Sequence, residues 1–239
     1  MKGMYTIEGD LGLMVRMKEL FSTDQGIPER EPGGEVSGKG RPGGPLPLSG
    51  MAWLTAAFVP WMVNWVTAGL PAGVLPLRAV FGLPLLLAAL LWGYRRIFDR
   101  PTLMETGTLA YFLVAFLTTL GGNGFFTAFG DVLSFLALAL LWADSLGTAM
   151  PVTGEYSKWD WPPSLWTTSV FIKTNAVITV AWVGIYLLQA VATLAGRYMS
   201  AESIMWTIVC YSLLIPGFVF TACYQKWYPT YGYVKEKGL

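Results

Sequence analysis

Long apolar runs separated by short polar breaks organise this chain from residue 51 onward. Six stretches carry the pattern: 51–70, 74–94, 103–121, 125–146, 168–196 and 203–224. Each holds about 20 residues, the number a helix needs to cross ~30 Å of hydrocarbon at 1.5 Å per residue. Backbone polar groups cannot be left open in lipid, so such runs predict helices rather than strands. The breaks are rich in turn formers: Pro71-Ala72-Gly73, Gly121-Gly122-Asn123-Gly124 and Pro162-Pro163. The pattern predicts an all-α polytopic membrane protein, a bundle of about six transmembrane helices over residues 51–224.

The flanks read differently. In "GLMVRMKELF" (12–21), Leu13, Met14, Met17, Leu20 and Phe21 share one helical face, opposite Arg16, Lys18 and Glu19. That spacing suits a short amphipathic helix lying on a membrane or on a partner. Residues 25–50 interleave glycines with Pro28, Pro32, Pro42, Pro45 and Pro47, a composition that predicts a linker without its own core. Residues 1–50 thus form an arm, and 225–239 an aromatic and basic tail. Leu13, Met17 and Phe21 of the arm, with Trp227, Tyr228 and Tyr231 of the tail, are the expected partner-docking residues.

Basic residues near helix ends set the orientation. Arg95, Arg96 and Arg100 follow the second run, six Lys and Arg lie in the arm, Lys158 lies in the 147–167 loop, and Lys226, Lys235 and Lys237 lie in the tail. The opposite side holds Arg197. Both termini are therefore expected in the cytoplasm, with the chain in a bacterial inner membrane. The 147–167 loop then carries Trp159, Trp161 and Trp166 to the point where a helix re-enters lipid. Indole rings favour that interface. The Pro162-Pro163 pair interrupts any continuous helix, and Lys173 is placed to snorkel towards the headgroups.

Composition sharpens the class. Of 239 residues, 54% are hydrophobic and 13% charged, against about 25% charged in soluble domains. Lipids are the expected surroundings. A net charge of +1 makes no case for nucleic acid. The absence of histidine removes the commonest general base and haem ligand. Cys210 and Cys223, thirteen positions apart in one run, read as apolar filler rather than a disulfide or cluster. No metal and no cofactor are expected. No nucleophile elbow or Walker sequence occurs, and "GKGRPGG" (38–44) lacks the phosphate-loop register. Catalytic residues are not expected.

Polar groups inside the spans are expensive and usually face the bundle interior. Asn64, Arg78 and Asp131 fall at similar depth below the outer surface, where an arginine and an aspartate can neutralise one another, leaving open whether Arg78 and Asp131 pair. Asn175, Thr179, Trp182, Tyr186, Gln189 and Thr193 recur at four- and three-residue intervals, one face of a helix. Gln189 reaches the depth of the pair. This polar cluster either binds helices together or lines a small cavity. Glu105, in the first turn of the third helix, reads as a dipole-matched capping residue.

Three strings, "FVPWMVNWVTAG" (58–69), "RRIFDRPTLMETGTLAYF" (95–112) and "PVTGEYSKWDWPPSLWTTSVFIKTNAVITVAW" (151–182), together resemble the bacterial intracellular septation protein A family. Pro151, Thr153, Tyr156, Pro162, Trp166, Phe171, Asn175, Ile178, Thr179 and Trp182 follow the family's sparse pattern in order, while Val152 stands where an aromatic is expected. The resemblance implies a polytopic inner-membrane protein connected with cell-envelope organisation, and carries over no catalytic residues. The expected role is a non-catalytic integral subunit or scaffold of a membrane complex, holding protein partners through arm, loop and tail. The alternatives are a small transporter or lipid-handling protein, and a haem-free membrane anchor of a redox enzyme.

Overall fold

The computed structural model describes residues 49–71, 74–98, 100–198 and 203–229. The long elements are α1 (Gly50–Ala68), α2 (Leu77–Phe98), α3 (Leu103–Leu120), α4 (Phe125–Ser145), α6 (Ser169–Tyr198), α7 (Ser203–Ser212) and α8 (Leu214–Trp227). A short α5 (Val152–Ser157) and two 3-10 turns, Lys158–Asp160 and Pro163–Leu165, fill the connection before α6. No strand occurs among the described residues. The 12–21 amphipathic stretch, the 25–48 linker and Tyr231 lie outside them.

This is an all-α polytopic membrane protein. Five described segments are long and apolar enough to cross a membrane: Leu77–Ile97, Leu103–Leu120, Phe125–Ser145, Ser169–Tyr198 and Met205–Trp227. Only 17–39% of each is buried inside the protein, so most of their apolar surface faces outward. Leu86, Leu90, Leu140, Val191 and Phe218 are among the large side chains left exposed. Water would penalise that surface at about 25 cal/mol per Å², whereas lipid does not.

Together with α1, which covers residues 50–68 and carries Trp53, Trp61, Trp65, Asn64 and Pro60, these five make the expected bundle of about six long helices. Two of the α1 indoles are hydrogen-bonded inside the bundle. Trp61 Nε1 donates to Thr108 Oγ1 at 2.9 Å, and Trp65 Nε1 donates to Ser134 Oγ at 2.9 Å. The helix still runs the length of α2: Trp53 stacks on Tyr94 near one end, and Thr67 Oγ1 reaches the Val80 carbonyl near the other. α1 thus packs along α2 for its full length and leaves Met62 and Val66 exposed on its outer face.

α1, α2, α3, α4, α6 and the α7–α8 pass alternate in direction, giving the bundle an Arg95 end and an Asp131 end. The last pass is interrupted at Leu213, between α7 and α8. Pro216 explains the break, because it has no N–H and its ring conflicts with the carbonyl four residues earlier, at Ser212. Trp61, Phe112, Leu138, Trp142 and Ile178 are at most 1% exposed and form the centre of the core. Trp142, Trp182 and Tyr186 pack with ring centroids 5.4–5.9 Å apart.

The loop before α6 folds back on the bundle. Thr153 Oγ1 donates to the Asn175 carbonyl at 2.9 Å and lies 2.9 Å from Thr179 Oγ1. Ser157 Oγ donates to Asn175 Oδ1 at 3.0 Å. The Gly50 N–H, at the start of α1, donates to both Asp160 carboxylate oxygens at 3.0 and 3.1 Å. A Cβ on Gly50 would run into the Tyr156 carbonyl, whereas one on Gly93 would meet nothing within 4 Å. Gly50→Ala is therefore expected to destabilise the protein by about 1–3 kcal/mol through overpacking. Gly93→Ala, in a helix interior, should gain about 0.5–1 kcal/mol. Thermal unfolding of the two variants in one detergent checks the opposite signs.

Candidate functional site

At the Arg95 end, Arg95 of α2 and Glu105 of α3 are both buried, 1% and 5% exposed. Arg95 Nε lies 3.5 Å from Glu105 Oε1, and its guanidinium carbon sits 5.6 Å from the Trp53 ring centroid. Tyr156 of α5 donates its hydroxyl to Glu105 Oε1 at 2.7 Å. Glu105 Oε2 accepts the Thr102 N–H at 2.6 Å and also the Thr102 hydroxyl. One carboxylate therefore ties α2, the start of α3 and α5. Glu105 does cap its helix as expected, but the sequence reading missed the buried ion pair. Its signal was a carboxylate in the first turn of α3, one short connection after Arg95.

Beside this lock, Lys158 lies 5.2 and 5.8 Å from the Trp159 and Trp166 ring centroids and forms an ion pair with Glu155 at 2.7 Å. Trp166 Nε1 donates to the Trp161 carbonyl at 3.0 Å, and Trp161 itself is 43% exposed. Lys173 sits over the Tyr228 ring at 5.7 Å. Tyr228 is buried, so it is not available for docking, whereas Trp227 is exposed. The four expected anchor residues are thus gathered at one end, with Lys158 rather than Lys173 caged by the indoles.

The Asp131 end holds a cavity of about 1020 Å³ bordered by α1, α2, α4, α6 and α7. Its walls include Leu70, Val80, Phe81, Phe126 and Phe135, and its polar lining includes Asn64, Asp131, Thr193, Arg197 and Trp206. The structure gives Asp131 a partner other than Arg78. Asp131 Oδ1 instead pairs with Arg197 Nη2 of α6 at 2.5 Å, while Arg78 is exposed. The physical reason is azimuth: Arg197 closes onto α4 from the adjacent helix, its other terminal nitrogen donating to the Ala128 carbonyl and its guanidinium 5.5 Å from the Phe129 ring centroid.

Asn64 lies in the cavity wall, 2% exposed, with Oδ1 accepting no hydrogen bond. Gln189 is equally buried but packs behind the wall, its Nε2 donating to the Cys210 carbonyl at 3.1 Å. Of the four residues expected to cluster, the structure brings Asn64 and Asp131 to one cavity, sets Gln189 next to it, and leaves Arg78 out. The α6 stripe is confirmed as an inward face, with Asn175, Thr179, Trp182, Tyr186 and Gln189 all buried.

Cys210 is buried and Cys223 exposed, both as free thiols. Among the described residues no group of three or more His, Cys, Asp or Glu side chains is placed to hold a metal ion. Comparison with family models, with curated proteins and with solved structures finds no match to this chain.

Two outcomes follow from these contacts. Asp131→Asn and Arg197→Gln should couple by about 0.2–1 kcal/mol, a modest value because both side chains are over a third exposed. Asp131→Asn and Arg78→Gln should instead be additive, and two double-mutant cycles on thermal unfolding separate the cases. At the other end, burial first and the Glu105 charge second hold the Tyr156 phenol well above its ordinary value of 10.0. A raised acid leaves stability intact below that value, and stability then falls as pH rises beyond it, because only the unfolded tyrosine ionises. Unfolding of the parent above pH ~10 should therefore steepen with pH more than that of Tyr156→Phe.

Proposed function

We propose that this chain is a membrane protein that binds a small amphipathic molecule in the cavity at its Asp131 end, in transport or lipid handling. The observation that carries the reading is that one large recess joins apolar walls to a few converging polar groups. Ligand sites have this character, and about 300–1,000 Å³ is their usual volume. The half-exposed Asp131–Arg197 pair at this recess ties α4 to α6, so the two helices that border a bound molecule share one electrostatic contact.

Orientation and location belong to the same proposal. Arg95, Arg96, Arg100, Lys158, Lys173 and Lys226 all belong to the Arg95 end, and Arg78 and Arg197 to the other. The excess of basic residues supports a cytoplasmic Arg95 end in a bacterial inner membrane, which directs the cavity outward. Service as a scaffold in a membrane complex is the second reading, and a link to the septation protein A family would fit it. Exposed Trp161 and Trp227 at the Arg95 end support that reading.

The cavity reading is tested by native mass spectrometry of protein released gently from membranes. A retained small molecule or lipid is expected, and Thr193→Phe, which fills the recess, should lower its occupancy several-fold. A spectrum of the parent with no bound species, or occupancy indifferent to that substitution, would remove the reading.

A further inference from the structure

We infer that the recess holds the headgroup of a zwitterionic phospholipid with a primary ammonium, the phosphatidylethanolamine class. This rests on the ligand-binding reading above and names its ligand class. Asp131 and Arg197 both line the recess, and their side chains are 41% and 36% exposed. Asp131 takes its hydrogen bonds on one oxygen: the Val132 N–H at 2.8 Å and Arg197 Nη2 at 2.5 Å both reach Oδ1. Among the described residues, nothing donates to Oδ2. A guanidinium carries five N–H donors, and Arg197 uses one on Asp131 and one on the Ala128 carbonyl. The pair therefore presents, side by side, an open negative acceptor and open positive donors.

Charge balance selects the ligand. No other lining residue is a Lys, Arg, Asp or Glu, so the described recess is neutral as a whole. A net anion would find Arg197 but press its charge against Asp131, and a net cation would do the reverse. A zwitterion meets both at once. Its phosphate takes the open guanidinium N–H groups and its ammonium the open carboxylate oxygen, each through a charge-assisted hydrogen bond. The ion pair stays intact throughout. A trimethylammonium has no N–H to donate and favours aromatic faces, and the Phe129 face beside the pair already lies under Arg197 at 5.5 Å. Ethanolamine is thereby preferred to choline.

The walls favour a lipid over a water-soluble zwitterion. Val80, Phe81, Phe126 and Phe135 line the recess and suit acyl chains rather than a free amino acid. Val66, Leu70 and Leu77 line it too and are exposed, so the chains have a way out along α1 and α2 into the bilayer. Depth agrees with a headgroup contact. Asp131 lies about 9 Å along α4 from its Phe125 start, at 1.5 Å per residue, and Arg197 is next to the last residue of α6.

The test titrates the full chain, stripped of lipid in maltoside micelles, with four dioleoyl lipids that differ only in headgroup, reading bound fractions by native mass spectrometry. Phosphatidylethanolamine should bind about fivefold or more tighter than phosphatidylcholine, phosphatidylglycerol or diacylglycerol. Thr193→Phe should weaken it several-fold, which assigns the bound lipid to the recess rather than the outer surface. Asp131→Asn takes the charge from the ammonium's acceptor and leaves Arg197 unbalanced, so the preference should pass to phosphatidylglycerol. Arg197→Gln should weaken both phospholipids, and serves if Asp131→Asn fails to fold. Equal or tighter binding of any of the other three lipids, or an order of preference and affinities that both charge variants leave unchanged, would overturn the headgroup assignment while leaving the recess a ligand site. Binding indifferent to Thr193→Phe, or no saturable adduct with any lipid, also overturns it. In that case the species retained by gently released protein decides separately whether the recess binds anything at all.

Discussion

Glu105 sets the conditions for the rest of the fold. A carboxyl group that is 5% exposed is costly in an apolar bundle unless its oxygens are engaged. Here the engagement comes from four directions: Arg95, the Tyr156 hydroxyl, and the Thr102 N–H and hydroxyl. Removing one partner of such a pair is far more damaging than never having built it. That asymmetry obliges α2, the start of α3 and α5 to meet at one place. Because Arg95 also lies over Trp53, the start of α1 is drawn into the same contact.

The return of the 152–157 segment follows from this contact. A loop tethered by Tyr156 must cross the start of α6, and it finds Thr179 and Asn175 there as hydrogen-bond partners. Asp160 is then delivered to the first N–H of α1, where a carboxylate matches the positive end of the helix dipole. The Arg95 end is dense in reciprocal hydrogen bonds, although the buried Trp53 and Trp159 indole N–H groups have no hydrogen-bond partner. The Asp131 end is built differently, with a half-exposed ion pair and a wide recess. Rigidity at one end of a bundle and unfilled capacity at the other is an arrangement suited to holding a ligand.

The helices could be read from the chain because hydrophobic run length is a direct consequence of membrane thickness, and the elements begin and end within a few residues of the expected bounds. The inward stripe on α6 was equally accessible, since a 3.6-residue period fixes which side chains share a face. What could not be read were relations between helices. The length of α1 was legible, but not the partners of its indole N–H groups, Thr108 for Trp61 and Ser134 for Trp65. The break at Leu213 was hidden inside a continuous apolar run, although Pro216 marks it. The buried Arg95–Glu105 pair and the fold-back of Tyr156 depend on how the connection turns, which no periodicity records.

Asp131 shows where depth reasoning stops. Depth along the membrane normal pointed to Arg78 as a group able to neutralise the carboxylate and did not bring Arg197 into consideration. The choice is made by which helix lies beside α4, and by the apolar ring of Phe129, which receives the guanidinium face of Arg197. A cation held by a carboxylate, a carbonyl and an aromatic face is fixed in place.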